Sequence, residues 1–175
     1  MKLTLTLSAL AATIAVATPA FAATTPAQTS ATAKAKGVVL QPLTLTQVSD
    51  LDFGTVIGSA VAGGVVIDAD TGGRTVSGGV TAVPNYPGNR GVFQGAGQNG
   101  QIVLIGLSTL AQLDSTANST DKLTVNSLSL DSGGATRTID ATLAFTVGVG
   151  GDFAIAAGQP NGTYTGQFDV TADYQ

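Results

Sequence analysis

The sequence predicts an all-β chain folded as a β-sandwich, and three observations carry that expectation. The first is the end of the chain, Gly162 to Gln175. From Tyr164 on, one parity holds Tyr164, Gly166, Phe168, Val170, Ala172 and Tyr174, and the other holds Thr165, Gln167, Asp169, Thr171 and Asp173. Strict alternation over this length buries one side of an extended strand and leaves the other in water. The second is the regular spacing of about eight or nine short apolar or alternating runs between clusters of Gly, Pro, Asn and Ser, with no convincing helical period. The third is composition: 23 glycines, with abundant Thr, Val and Ala, suit short strands and tight turns.

The chain opens with the marks of export. Met1-Lys2 is a short basic start, Leu3 to Val16 is apolar, and Ala17 to Ala22 ends in Ala-Phe-Ala before Ala23. This pattern predicts a cleaved signal peptide over residues 1–22. A membrane anchor would need about 20 apolar residues, and Thr4, Thr6, Ser8 and Thr13 dilute this run. The mature chain, Ala23 to Gln175, is expected to be secreted, periplasmic or displayed at the cell surface, with no membrane-spanning helix. Cysteine is absent, so packing alone must hold the fold without the disulfides common in exported proteins.

Residues 23–36 are small and polar, an N-terminal arm ahead of a sandwich domain over 37–175. Within the arm Ala27, Thr29, Ala31, Ala33 and Ala35 alternate with Gln28, Ser30, Thr32, Lys34 and Lys36. Two readings stand side by side: a linker too polar to fold, or an extended arm with one small apolar face. Gly37 to Val48 reads as the first strand region, and Pro42 within it predicts an edge position or a break. Leu51 to Ile57 follows as a short strand. Gly63–Asp70 and Arg74–Val83 predict a hairpin around Asp70-Thr71-Gly72-Gly73, and Val83 to Gly91 a loop. Ile102 to Leu107, almost wholly apolar, predicts a strand covered on both faces. Leu110 to Asp121 reads as a loop or short helical turn. Lys122–Asp131 and Thr136–Val147 predict a second hairpin around Ser132-Gly133-Gly134, its second arm burying Ile139, Ala141, Leu143, Phe145 and Val147. The phase change between Val125 and Leu128 calls for a bulge. Phe153 to Ala157 is a short strand, and Gln159-Pro160-Asn161-Gly162 turns the chain into its final one.

Chemistry is harder to find. All eleven acidic residues are Asp, against seven Lys and Arg, and His, Cys and Trp are absent. This excludes Ser-His-Asp and Cys-His catalysis and any His or thiolate metal site. The acidic balance argues against nucleic acid as a partner. Ser119-Thr120-Asp121-Lys122 matches S-x-x-K without the companion motifs that chemistry needs. Gly95-Ala96-Gly97-Gln98-Asn99-Gly100 matches G-x-G-x-x-G, but a strand-like run follows instead of a helix, which favours a glycine-rich turn. Asp50/Asp52 and Asp68/Asp70 fall short of the six to eight oxygens that calcium takes. No pair of opposed acids for glycoside hydrolysis can be picked out. The expectation is a non-enzymatic protein with no cofactor, no metal and no catalytic residue.

Two positions go beyond a generic strand. Tyr174 is the penultimate residue and Gly162 the fourteenth from the end. That pairing resembles the C-terminal signature of chaperone-usher pilus subunits. The resemblance implies an immunoglobulin-like, pilin-like sandwich that lacks its last strand and leaves a groove beside the C-terminal strand. A periplasmic chaperone would fill the groove first, and the N-terminal arm of the next subunit would replace it at an outer-membrane usher. The chain is also similar to an uncharacterised family of exported bacterial β-sandwich proteins, a domain of unknown function. Pro42-Leu43-Thr44-Leu45, Asp50-Leu51-Asp52-Phe53-Gly54, Ala157-Gly158-Gln159 and Gly162-Thr163-Tyr164-Thr165-Gly166 carry that likeness over about residues 31–175.

The resemblance implies a strand-pairing edge at Gly162, Tyr164, Phe168, Val170 and Tyr174, and a donor arm bearing Ala27, Ala31, Ala33, Ala35 and Val39. A donated strand supplies main-chain hydrogen bonds, and its alternate side chains fill pockets. About ten such bonds at ~0.5–1.5 kcal/mol each would hold subunits together, and bulky donor residues would each add ~1.5–3 kcal/mol. Alanines add much less. Either the groove is shallow, or the donor extends into Val39, Leu43 and Leu45, or the arm completes its own sandwich. Two further expectations stay open: a monomeric exported binding or coat module, and a small outer-membrane barrel. The few aromatics count against the barrel's girdles.

Overall fold

The computed structural model describes residues 29–175. The expected signal peptide and Ala27 lie outside the described residues. The chain divides into Met1–Gly37 and Val38–Gln175. Of the first unit, residues 29–37 are exposed and belong to neither helix nor strand.

The second unit is all-β, with thirteen strands and no helix among the described residues. In order they are β1 (Thr44–Ser49), β2 (Val56–Ile57), β3 (Gly63–Ile67), β4 (Arg74–Gly78), β5 (Thr81–Ala82), β6 (Gly91–Ala96), β7 (Ile102–Leu107), β8 (Gln112–Ser115), β9 (Lys122–Leu130), β10 (Thr136–Thr138), β11 (Ala144–Ile155), β12 (Tyr164–Thr165) and β13 (Val170–Tyr174). The large sheet runs β1-β6-β11-β9-β8-β12, with β3 on β11 and β4 beyond β3. A three-stranded sheet, β10-β7-β13, and a short β2-β5 ribbon complete the set. All named pairs are antiparallel.

Strand β11 organises both halves of the core. One of its sides pairs with β9, and the other pairs first with β6 and then with β3. Its Phe153 and Ile155 pack with Phe53, Val65, Ile67, Val80, Leu113, Leu123 and Val125, where the rings of Phe53 and Phe153 meet edge to face at 4.6 Å. Its Phe145, Val147 and Val149 pack with Phe93, Val103, Ile105 and Ile139, joining the large sheet to the small one. Face-to-face packing of two antiparallel sheets around such a layer is a β-sandwich.

Several expectations need correction. The Lys122–Asp131 and Thr136–Val147 arms do not pair with each other: β9 pairs with β11, and β10 crosses to β7. Asp131 directs that crossing, because its carboxylate binds the Arg137 guanidinium and accepts the Gly148 N–H at 2.8 Å. In the second arm Ile139, Phe145 and Val147 are buried, whereas Leu143 is exposed at a turn with φ 65°. β7 is covered on one face only, leaving Ile102 and Leu104 outside at 44% and 49% exposure. Leu110 to Asp121 contains β8. Pro42 is followed by an edge strand, β1, that starts at Thr44. The bulge on β9 is present: Ser127 faces Asp152 and Val125 faces Phe153, so Asn126 is the extra residue.

Gly91–Ala96 is a strand that motif reading masks. The three glycines of G-x-G-x-x-G have separate structural reasons. Gly95 lies in β6 under the Phe145 ring, which a methyl group there would overlap. Gly97 lies under the Tyr174 hydroxyl, and Gly100 turns the chain at φ 74°.

Candidate functional site: an open strand edge

The final stretch is not one strand. Tyr164–Thr165 pairs with β8 in the large sheet, and Val170–Tyr174 pairs with β7 in the small one. Between them the backbone crosses from sheet to sheet at Gly166, where a methyl group would come within 2.8 Å of Leu113 and 3.0 Å of Leu110. The alternation survives the crossing because both halves turn the same parity inward, Tyr164 onto one core cluster and Phe168, Val170, Ala172 and Tyr174 onto the other. Gly162 and Tyr164 therefore sit apart from the edge formed by Val170 and Tyr174. The Tyr164 hydroxyl donates to Pro160 O at 2.7 Å and accepts from Gln159 Nε2 at 3.0 Å, which fixes the preceding turn. Phe168 stands between the two strands with its ring edge-on to Phe93 at 6.3 Å.

Backbone parity identifies which groups of β13 are open. Ser108 N–H donates to Asp169 O at 2.9 Å, and Gln175 N–H donates to Ile102 O at 3.0 Å. With Thr171 opposite Gly106 and Asp173 opposite Leu104, the odd residues face β7 as hydrogen-bonded pairs. Val170, Ala172 and Tyr174 turn their N–H and C=O groups to the other side. No strand pairs with that side among the described residues.

Across the core from this edge lies β1, the edge of the large sheet. Leu43 and Leu45 from the β1 side, and Phe168, Val170, Ala172 and Tyr174 from the β13 side, are half-buried against the same cluster. The Tyr174 hydroxyl closes one end of this cleft. It donates to Gln41 O at 2.8 Å and accepts from Gln98 N–H at 2.8 Å. Of the expected donor residues, Ala31, Ala33 and Ala35 are exposed outside any strand, and Val39 is 97% exposed.

Several of the acids sit in local structural roles. Asp52 accepts the Gly54 N–H. The backbone N–H of Thr71, then its hydroxyl, hold the Asp68 carboxyl below its ordinary pKa. The backbone N–H of Ser132 does the same for Asp70, and the hydroxyl and N–H of Thr142 for Asp140. Lys122 of the S-x-x-K match pairs with Asp114 at 2.7 Å. Arg74 inserts its guanidinium among four carbonyls, those of Phe53, Thr55, Val83 and Tyr86, and ties the β2-β5 ribbon to β4. Two surface hollows, one of about 330 Å³ between 107–111 and 125–128 and one beside β1 and β6, are lined by no carboxylate.

Fold and edge together define an antiparallel β-sandwich protein whose last strand, β13, pairs on one side only among the described residues. No curated protein and no solved structure matches the chain. Residues 43–174 match the family described as Domain of unknown function (DUF4402), and the chain belongs to that family.

Proposed function

We propose that this protein is an exported, non-enzymatic structural subunit of a cell-surface fibre with a pilin-like sandwich, assembled head to tail by strand addition. One observation carries the reading: the β13 edge presents the N–H and C=O groups of Val170, Ala172 and Tyr174 above half-buried apolar side chains. An extended segment laid there gains main-chain hydrogen bonds and covers apolar surface in one step. The contact uses different surfaces on the two copies, so it propagates into a filament wherever its rotation does not close a ring. The partners on this reading are further copies or other pilin-like subunits, with a periplasmic chaperone and an outer-membrane usher during assembly. Removal of residues 23–36 should leave a soluble fold but no heat-resistant ladder of multimers. A ladder that persists removes the arm from the role.

A monomeric binding or coat module is the second reading, favoured by the tie between Tyr174 and Gln41 of the same chain. It requires one species in size-exclusion runs, with residues 27–48 protected from exchange at high dilution. The small outer-membrane barrel is disfavoured, because among the described residues the strand path ends at β1 and β12 without closing on itself.

A further inference from the structure

We propose that Lys34 and Lys36 of a second copy of this chain set the register of the added strand by pairing with Asp169 and Asp173 beside the open edge. This deepens the fibre reading and rests on it.

Residues on adjacent strands that lie opposite one another project to the same face. On β13 the inward set is Val170, Ala172 and Tyr174, and the outward set is Asp169, Thr171 and Asp173, all three exposed. On the arm the small set is Ala31, Ala33, Ala35, Gly37 and Val39, and the other parity holds Lys34 and Lys36. Turning the small set toward the cleft therefore places both lysines on the face that carries the two aspartates, whichever way the strand runs. In the antiparallel register with Ala35 opposite Ala172, Lys34 faces Asp173. Lys36 then faces Thr171, within diagonal reach of Asp169 and Asp173.

The charges fit because the other cations within residues 29–175 have acceptors. Among the described residues Lys122 holds Asp114 and Arg137 holds Asp131. Arg74 and Arg90 bind backbone carbonyls. Among the described residues Lys34 and Lys36 make no ion pair, and neither Asp169 nor Asp173 has a cationic partner. The small inward face fits as well. Leu43, Leu45 and Phe168 already cover part of the cluster beside the edge, so the added strand needs no bulky inward side chains.

The test adds a synthetic peptide of residues 29–40 to the purified chain, following peptide affinity and the exchange of the Val170, Ala172 and Tyr174 amides. The expected result is slowed exchange at those amides. Binding should weaken about tenfold for a peptide carrying Lys34→Asp and Lys36→Asp, and return when that peptide meets a chain carrying Asp169→Lys and Asp173→Lys. Equal binding of both peptides, with the amides slowed, would overturn the charge register and leave strand addition standing. No binding and no slowing with either peptide would overturn both. Amides already slow at high dilution without peptide would assign the edge to the chain's own arm and remove the second copy.

Discussion

The hydroxyl of Tyr174 joins three segments distant in sequence: the root of the arm at Gln41, the β6–β7 turn at Gln98, and the end of β13. It also explains Gly97, since any side chain there would meet that hydroxyl. Tyr174→Phe keeps the ring against the core and removes two hydrogen bonds, each contributing ~0.5–1.5 kcal/mol net. The expected loss is about 1–3 kcal/mol in urea unfolding, with faster exchange at the Gln98 amide. An unchanged midpoint would show that solvent replaces both bonds at no net loss. The sequence marks Tyr174 as an inward, penultimate aromatic. Nothing in it marks Gln41 or Gln98, because a backbone acceptor or donor leaves no trace in side-chain identity.

Strand β6 shows what pattern reading reaches and where it stops. Phe93 and Gly95 face inward and Gln94 and Ala96 are exposed, a legible alternation, but the glycines draw attention to turns. Gly95 is in the strand because the Phe145 ring lies over it, a tertiary cause with no local signature. Gly95→Ala should destabilise the fold by about 1–3 kcal/mol through overpacking, read as a shift in the denaturation midpoint with β content retained. A silent substitution would mean that the ring moves freely. The all-β class and the β9 bulge follow from period-2 patterning, and the 70–73 hairpin from its turn residues. The partners of β10 and β11 do not, because strand pairing depends on contacts distant in sequence, such as β11 with β3 and Asp131 with Gly148. The break at Gly166 was equally hidden, since both halves keep one parity.

At the scale of the molecule, the chain carries eleven Asp, no Glu and no His. Asp68, Asp70 and Asp140 each have a folded-state pKa below the ordinary value. Folding therefore favours their ionised forms. That contribution is complete above the ordinary range and fades as pH falls through the depressed values. Stability should be flat from about pH 8 to pH 5 and drop below about pH 4. Thermal melts across that range check it, and Asp68→Asn should blunt the acid dependence. A fall between pH 8 and pH 6 would point to some other titrating group.

The bond from Tyr174 to Gln41 has a mechanical consequence in any filament built through this edge. Tension would arrive where a neighbour grips β13 and depart where the arm leaves at Gln41, and those two points are stitched together at one corner. The pull would be borne as shear across that corner instead of peeling β11 from its neighbours, so a chain without covalent cross-links could carry load and keep its interior intact.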